Sequence, residues 1–175
     1  DDNFGTMGEF NELVSEANAR GIAVILDGVF NHTSSDSIFF DRYGRYPEDG
    51  ACESATSEYR SWYYFTDVTP GTGVCVGSDG TPNAAVYTSW FGFDSLPKLD
   101  SSNPAVRSYI YASGPSAIGR YWLDRGVEGW RLDVGGDVDP GQLSDPTNDY
   151  WEEFRQALYL SNPQAYIVGE EWNYA

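Results

Sequence analysis

Three short apolar runs, each preceded by a helical pattern, constrain the fold of this chain more than any other feature. They are IAVILD at residues 22–27, VEGWRLDV at residues 127–134 and AYIVGE at residues 165–170. The first run is rich in branched residues and has no polar alternation, which is typical of a parallel strand buried on both faces. The repeated order of helix and strand predicts an α/β fold, either a parallel sheet or a barrel.

Helical patterns occupy the segments before these runs. Residues 7–20 carry apolar side chains at helical spacing, and Gly21 follows as a stop signal. A second helix is predicted to begin with Asn103 as its N-cap and Pro104 as its first residue, with an interruption at residues 114–115. A third helix contains the run WEEFRQAL. The apolar face of the first helix is predicted to consist of Phe10, Leu13, Val14 and Ala17.

The segment from about residue 31 to residue 103 has a different character. Short aromatic clusters are separated there by Gly, Pro, Asp, Ser and Thr, without helical periodicity of useful length. The segment is too long for a simple loop, so a small irregular domain with short strands is predicted. Most of its clustered aromatic residues are expected to form a miniature core, with Trp90 as the exception. The clusters consist of Trp62, Tyr63, Tyr64, Phe65, Trp90, Phe91 and Phe93.

Cys52 and Cys75 are the only cysteines, and both lie in sequence rich in Gly, Thr and Ser. A disulfide between them is predicted, with two free thiols as the alternative, and a disulfide fits a secreted, extracellular protein. Two cysteines and one histidine make a poor zinc site. No signal peptide is visible, and because the chain begins in polar sequence, we expect the segment that would carry one to lie outside it. Three parallel strands do not close a barrel, so we expect the chain to be an excerpt of a longer protein.

The strongly acidic balance of the chain excludes some classes of partner. The net charge of −17 argues against nucleic acid and against anionic membrane surfaces, because both require clustered Lys and Arg. No run of 18 apolar residues is present that could span a bilayer. Aromatic residues make up 16% of the chain, and an acidic surface rich in aromatic rings suits a neutral sugar ligand. Acidity that only maintains solubility is the alternative, and the two are compatible.

Polar side chains gather at the C-terminal ends of the three predicted strands. In parallel βα folds these ends form one rim, where active groups collect. Several carboxylates beside one arginine and the only histidine are typical of a glycosidase, which needs paired carboxylates. The candidates are Asp27, Asn31 and His32 after the first strand, Arg131, Asp133 and Asp137 at the second, and Glu170 and Glu171 at the third.

Four motifs in the chain resemble the signature motifs of the α-amylase family of glycoside hydrolases. They are DGVFNH, LPKLD, GWRLDV and VGEEW, in the order and with about the spacing of that family. LPKLD is most similar to the branch of neopullulanases, cyclomaltodextrinases and pullulanase-like enzymes. The resemblance implies a partial (β/α)8 TIM barrel, about strands 3 to 5, with an irregular β-rich domain inserted after the third strand. Residues 1–31 and 103–175 would then belong to the barrel, and residues 32–102 to the inserted domain.

The resemblance also implies a retaining hydrolase of α-glucans. Asp133 would be the nucleophile, and Arg131, two residues earlier on a strand, points the same way and favours the ionised carboxylate. The acid/base must be a carboxyl group that can hold a proton. Strand alternation allows only one of Glu170 and Glu171 to point into the barrel mouth, and the residues alone leave both open. The family motif places its glutamate directly after Gly, which selects Glu170.

Further roles follow from the same resemblance, and the chemistry itself needs no cofactor. His32 and Arg131 would contact substrate, while Asp27 would orient Arg131 and the strand end. Asn31 corresponds to a calcium ligand of many family members, although the other oxygen ligands are not identifiable. The remaining residues expected at the substrate are Trp90 as a stacking platform, Trp172 as an apolar wall near the acid, and Asp137 on the acceptor side.

Several alternatives stay open at this point. The family's third carboxylate, an Asp preceded by His, is expected beyond this chain. A transglycosylase of the same family differs only in how well water competes for the intermediate. A non-catalytic carbohydrate-binding relative would have lost the carboxylates that are present here, and an unrelated sugar- or calcium-binding module would not explain their positions at strand ends. The choice between α-1,4 and α-1,6 bonds is not determined.

Overall fold

A computed structural model describes residues 2–66, 73–76, 82–138 and 149–171 of the chain. The chain divides into two compact units, one made of Asp1–Gly28 with Arg107–Ala175 and the other of Val29–Val106. No helix in the described ranges is long and apolar enough to cross a bilayer.

The regular elements alternate along the first unit and are short in the second. The strands are β1 (Ile25–Gly28), β2 (Phe65–Thr66), β3 (Gly73–Val76), β4 (Pro82–Tyr87), β5 (Gly129–Leu132) and β6 (Tyr166–Gly169). The α-helices are α1 (Met7–Ala19), α2 (Pro104–Arg107), α3 (Ile118–Leu123), α4 (Gly135–Val138) and α5 (Tyr150–Tyr159).

The first unit contains a parallel sheet in the order β1-β5-β6, which confirms the three predicted strands and their direction. β5 is the central strand, and its Trp130 and Leu132 are buried. The expectation that the first strand is buried on both faces is wrong, because Ile25 is 38% exposed. Tyr166 of β6 is 58% exposed. The physical reason is that strand side chains are buried by what packs on the faces of the sheet, whereas Ile25 and Tyr166 line a cavity.

α1 begins with a capping box, in which the Thr6 hydroxyl accepts from the Glu9 N–H and the Glu9 carboxylate accepts from the Thr6 N–H. The Thr6 backbone donor lowers the pKa of Glu9. Val14 is buried, and Phe10 packs edge-on against Trp122 with ring centroids 4.9 Å apart. Leu13 was expected on the same buried face, and that expectation is wrong because its side chain is 59% exposed.

The second helical region starts and breaks where the sequence predicts. The Asn103 side chain accepts a hydrogen bond from the Ala105 N–H at 2.8 Å, which confirms Asn103 as the N-cap. α2 passes into a π-helical segment, Ser108–Ala112, and Gly114 then takes a left-handed φ of 74°. The interruption at residues 114–115 is therefore confirmed, and α3 resumes beyond it.

The close packing of α3 on α5 forms part of the core of the first unit. A Cβ at Gly119 would lie 2.8 Å from Leu158 Cδ1 and 3.2 Å from the Ile110 carbonyl oxygen. Only glycine allows so close an approach. Phe154 and Leu158 of α5 are completely buried there.

The second unit contains short strands that pair antiparallel in the order β2-β4-β3. Its core centres on the fully buried Phe40, whose ring packs edge-on against Tyr63 and Tyr87 at 4.8 and 4.6 Å. Phe91 and Phe93 were expected in this core, and that expectation is wrong, because they are 79% and 57% exposed. Trp90, expected to be a stacking platform and not part of the core, is partly exposed.

Cys52 and Cys75 form a disulfide with their Cα atoms 5.2 Å apart, which confirms the predicted bridge. Both residues are fully buried, and the bridge connects a loop next to Phe40 to strand β3. The bridge therefore links two segments of the second unit covalently.

Candidate active site

The C-terminal ends of β1, β5 and β6 lie side by side because the sheet register aligns them. Asp27 is opposite Arg131, and Leu132 is opposite Gly169. Two further backbone hydrogen bonds continue the alignment, from the Asp133 N–H to the Gly28 carbonyl at 3.1 Å and from the Glu170 N–H to the Leu132 carbonyl at 2.8 Å. The residues that follow these strands are thus fixed relative to one another by main-chain pairing.

Arg131 binds three carboxylates at this edge. Its Nη1 donates to Asp27 Oδ1 and to Asp133 Oδ1, both at 2.7 Å. Its Nη2 pairs with Glu170 Oε1 at 2.5 Å. The hydrogen bonds to Asp27 and Asp133 raise the pKa of Arg131 above its already high ordinary value. One permanent cation therefore holds three acidic groups within its reach.

The three carboxylates differ in their exposure to solvent. The side chains of Asp133 and Glu170 are 22% and 25% exposed, whereas that of Asp27 is 60% exposed. Asp133 and Glu170 are thus partly withdrawn from water next to each other, while Asp27 supports Arg131 from the open side. Two neighbouring, partly buried carboxyl groups can act as a nucleophile and a proton donor.

The two adjacent glutamates after β6 have different positions. Glu170 reaches Arg131, and its Oε2 accepts a hydrogen bond from the Val134 N–H at 3.2 Å. Glu171 is exposed, and its carboxylate lies over Gly136, where a Cβ would be 3.0 Å from Oε2. The structure therefore brings Glu170 to the cluster around Asp133. Asp137 lies in α4, where its N–H donates to the Val134 carbonyl at 2.8 Å.

His32 and Trp90 meet inside the second unit. The His32 ring stacks on Trp90 with centroids 5.5 Å apart and is 8% exposed. The Asn31 side-chain amide donates to His32 Nδ1 at 3.2 Å. The backbones of His32 and Lys98 form an isolated antiparallel β-bridge, and the Leu99 N–H donates to the Asn31 carbonyl at 2.9 Å. The last two residues of the DGVFNH motif therefore lie next to the LPKLD motif in this unit.

Asn31 is the residue for which calcium binding was expected, and its side chain offers one suitable ligand. The residue is 1% exposed, and its Oδ1 is a buried acceptor with no hydrogen-bond partner. A hard cation such as Ca²⁺ binds amide oxygens of this kind. Across the described ranges, no group of three His, Cys, Asp or Glu residues is placed to hold a metal. Asn31 thus fits one position of a calcium site.

Trp172, which was expected at the substrate, lies outside the described residues.

Two left-handed backbone conformations were not anticipated from the sequence. Val134 and Phe91 have left-handed φ values of 41° and 46°. Such values are rare for β-branched and bulky residues and are a common sign of functional strain. The glycine pair after Val134 is the only signal of a turn there, and it does not reveal the strain.

Comparison with known proteins gives a consistent result. The chain matches the family of α-amylase catalytic domains over residues 1–175. It is 39% identical over 189 aligned positions to an amylopullulanase of Thermoanaerobacterium saccharolyticum, with 98% of this chain and 13% of that protein covered. It is 34% identical to neopullulanase 2 of Thermoactinomyces vulgaris, with 99% and 25% covered. The chain thus spans an eighth to a quarter of the length of these relatives.

Solved structures agree with the sequence relatives. A debranching enzyme from Nostoc punctiforme superposes with a TM-score of 0.70 at 34% identity, over 95% of this chain and 29% of that one. A cyclic α-maltosyl-(1→6)-maltose hydrolase from Arthrobacter globiformis, solved with maltose, gives a TM-score of 0.67 at 33% identity, over 97% and 32%. This chain belongs to the α-amylase family, whose catalytic domain it matches from residue 1 to residue 175.

Proposed function

We propose that the chain forms the catalytic core of a retaining glycoside hydrolase that acts on α-glucans. The observation that carries the proposal is the single guanidinium of Arg131 bound to both Asp133 and Glu170. Retaining glycosidases need two closely spaced carboxyl groups, about 5–5.5 Å apart. Relatives named amylopullulanase and neopullulanase support an α-glucan as the substrate.

In the first step the Asp133 carboxylate attacks the anomeric carbon and forms a covalent glycosyl-enzyme. The glycosidic C–O bond breaks, and Glu170 gives its proton to the departing sugar oxygen. In the second step water attacks the same carbon, Glu170 takes a proton from that water, and the bond to Asp133 breaks. Arg131 donates to Asp133 Oδ1 at 2.7 Å and so holds this carboxylate in place for the attack.

Glu170 accepts hydrogen bonds at both oxygens, from Arg131 and from Val134. Two donors suit the ionised form that acts as a base in the second step. Before the first step one oxygen carries the proton, and a protonated carboxyl group keeps enough acceptor capacity for both donors. The same contacts can therefore hold Glu170 in both of its proton states.

His32 is proposed to bind a hydroxyl group of the sugar, and Trp90 to support it. Because the Asn31 amide donates to Nδ1, the proton of the neutral ring lies on Nε2, which makes Nε2 a hydrogen-bond donor. The stacked Trp90 ring fixes the plane of the imidazole.

The finer architecture and setting form part of the proposal. The sheet β1-β5-β6 corresponds to about strands 3 to 5 of a TIM barrel, with the second unit inserted after β1. The disulfide supports a secreted protein, because such bonds persist in oxidising compartments.

Asn31 Oδ1 would hold a structural calcium ion. Unfolding with Ca²⁺ or with a chelator tests this, and a transition temperature that does not respond in the natural protein contradicts it.

The stereochemical course of the reaction tests the mechanism. NMR of the first-formed product should detect the α-anomer when the full-length natural polypeptide hydrolyses maltodextrin, pullulan or cyclodextrin. Two inversions at the anomeric carbon require this outcome. A β-anomer as the first product overturns the proposal.

The adjacent glutamates provide a second test. Glu170→Gln should lower kcat/KM on maltodextrin by about 100- to 10,000-fold, the range of general acid–base catalysis. Asp133→Asn should be at least as damaging. Glu171→Gln makes the same chemical change one residue away and should leave most of the activity. An inactive Glu171→Gln beside an active Glu170→Gln would reverse the assignment.

A further inference from the structure

The turn that follows β5 is strained at Val134. This residue lies directly after Asp133, is 4% exposed and has a φ of 41°. A left-handed φ crowds the side chain of a β-branched residue against its own backbone. Such a conformation persists only where the surrounding contacts hold it in place. We call Asp133, Val134 and Gly135 the β5 turn.

The strained conformation directs two consecutive N–H groups of the β5 turn at Glu170. The Val134 N–H donates to the carboxylate Oε2 at 3.2 Å, and the Gly135 N–H donates to the Glu170 main-chain carbonyl at 3.2 Å. The other carboxylate oxygen is bound by Arg131. Both the backbone and the side chain of Glu170 are therefore held by the residues that carry Asp133.

Trp151 fixes the far side of this turn. Its indole Nε1 donates to the Gly135 carbonyl at 2.9 Å. The indole ring packs edge-on against Phe154, a fully buried residue of α5, with centroids 5.5 Å apart. Gly135 is thus held by its carbonyl to α5 and by its N–H to Glu170. A rigid helix in this way sets the position of the turn.

We propose that the β5 turn and Trp151 together hold the Glu170 carboxyl group in register with Asp133, so that Val134 and Trp151 are positioning residues for proton transfer to the leaving oxygen. The inference rests on the proposed function, because it assumes that Glu170 is the acid. Proton transfer depends steeply on hydrogen-bond distance, and small displacements of a catalytic group are costly. Neither residue needs to touch the substrate.

Two substrates that share one sugar but differ in leaving group test this role. A sugar leaving group departs as an alcohol and requires the proton of Glu170, whereas 2,4-dinitrophenolate leaves as an anion and needs no proton. The measured quantity is the ratio of kcat/KM on a dinitrophenyl α-maltoside to kcat/KM on maltotriose. Both values come from one sample, so the ratio does not depend on the fraction of folded enzyme.

Trp151→Phe is the main variant, made in the full-length natural polypeptide. It removes the indole donor and keeps an aromatic ring, and the ratio should rise about 10-fold. Trp130→Phe is the matched control, because the Trp130 Nε1 also donates to a glycine carbonyl, that of Gly119 at 3.1 Å. Its loss should lower stability without changing the ratio. Val134→Pro, which has no N–H and cannot adopt the left-handed φ, should raise the ratio at least as much as Trp151→Phe.

The results separate this inference from the proposed function. An unchanged ratio in Trp151→Phe, or an equal rise in Trp130→Phe, overturns the positioning role even when Glu170→Gln raises the ratio strongly. If Glu170→Gln itself leaves the ratio unchanged, Glu170 is not the acid and the proposed function fails. A selective rise in Trp151→Phe supports both.

Discussion

At the scale of single residues, Arg131 organises the site. A planar guanidinium offers several donors in fixed directions, so one side chain binds Asp27, Asp133 and Glu170 at the same time. A lysine ammonium at the same position would supply the charge without the fixed geometry. The positive charge of Arg131 also offsets the repulsion between the carboxylates of Asp133 and Glu170, which both pair with it.

Replacing this guanidinium should therefore be damaging even when the charge is kept. Arg131→Lys should lower kcat/KM on maltodextrin about 100-fold, because the charge no longer spans both carboxylates. Arg107→Lys is the matched control, since Arg107 also pairs with two carboxylates, those of Asp149 and Glu153, at a different place in the unit. Steady-state kinetics and thermal unfolding of both variants decide the matter. Equal losses of activity would contradict a specific role for Arg131.

At the scale of elements, the second unit depends on covalent and polar contacts as much as on regular structure. Its strands have two, four and six residues, which is too short for backbone pairing alone to give independent stability. The disulfide, the aromatic cluster around Phe40 and a buried Asp41 provide further order. Both carboxylate oxygens of Asp41 accept backbone N–H groups, from Arg45 and Tyr46, each at 2.9 Å.

Removing the disulfide should destabilise the protein measurably. The double variant Cys52→Ala with Cys75→Ala should lose about 3 kcal/mol of unfolding free energy, from the entropy of a chain loop of this length. The cysteines are 23 residues apart in sequence. Denaturant unfolding with and without a reductant measures the effect. The natural protein should approach the variant when reduced, and the variant should not respond; a reductant-insensitive natural protein would argue against the bridge.

A carboxyl pair in the same unit should make stability depend on pH. Burial raises the pKa of Glu53 above its ordinary value of 4.5, and the neighbouring Asp41 acts in the same direction. The folded state therefore binds this proton more tightly than the unfolded state, and the contribution to stability is lost as the pH rises from 4.5 through the raised pKa. Glu53→Gln, which stays neutral, should unfold at a higher temperature than the natural protein at pH 7.

The advantage of Glu53→Gln should shrink as the pH falls towards 4, where the natural glutamate is protonated. Glu48→Gln removes the same charge from an exposed position nearby and serves as the control. Thermal unfolding between pH 4 and pH 8 provides the measurement. A difference between Glu53→Gln and the natural protein that is the same at all pH values would contradict a shifted proton.

At the scale of the whole molecule, the described sheet has two open edges. β1 and β6 each pair with β5 alone, and the apolar side chains of Ile25 and Tyr166 are exposed beside a cavity at the N-terminal ends of the strands. Unpaired edges with exposed apolar residues favour association between chains. The described sheet on its own is therefore expected to associate with other chains through its unpaired edges.

Residues 1–175 expressed alone should be inactive and should aggregate or unfold without cooperativity. The net charge of −17 slows association but does not supply strand partners. Gel filtration, near-UV circular dichroism and an assay on maltodextrin test the expectation, with the full-length natural polypeptide as the control. A monodisperse monomer with cooperative unfolding would contradict it.

The sequence alone determined those features that depend on local chemistry and on periodicity. Branched apolar runs predicted the parallel strands, the Asn103-Pro104 pair predicted a helix start, and alternation put Arg131 and Asp133 on the same side of β5. The pairing of Cys52 with Cys75 followed from their number. Each of these needs only neighbouring residues or a count.

Only the tertiary structure decided the features that depend on which surfaces meet. Helical spacing could not tell that Leu13 remains exposed while Val14 is buried, because burial depends on what packs against the helix. Alternation left Glu170 and Glu171 equivalent, and only the resemblance of VGEEW to the family motif selected Glu170. The contact of the Glu170 carboxylate with Arg131 depends on the alignment of β6 with β5. The left-handed Val134 and its contact with Glu170 join residues 36 positions apart, and no local pattern records a strain that distant contacts impose.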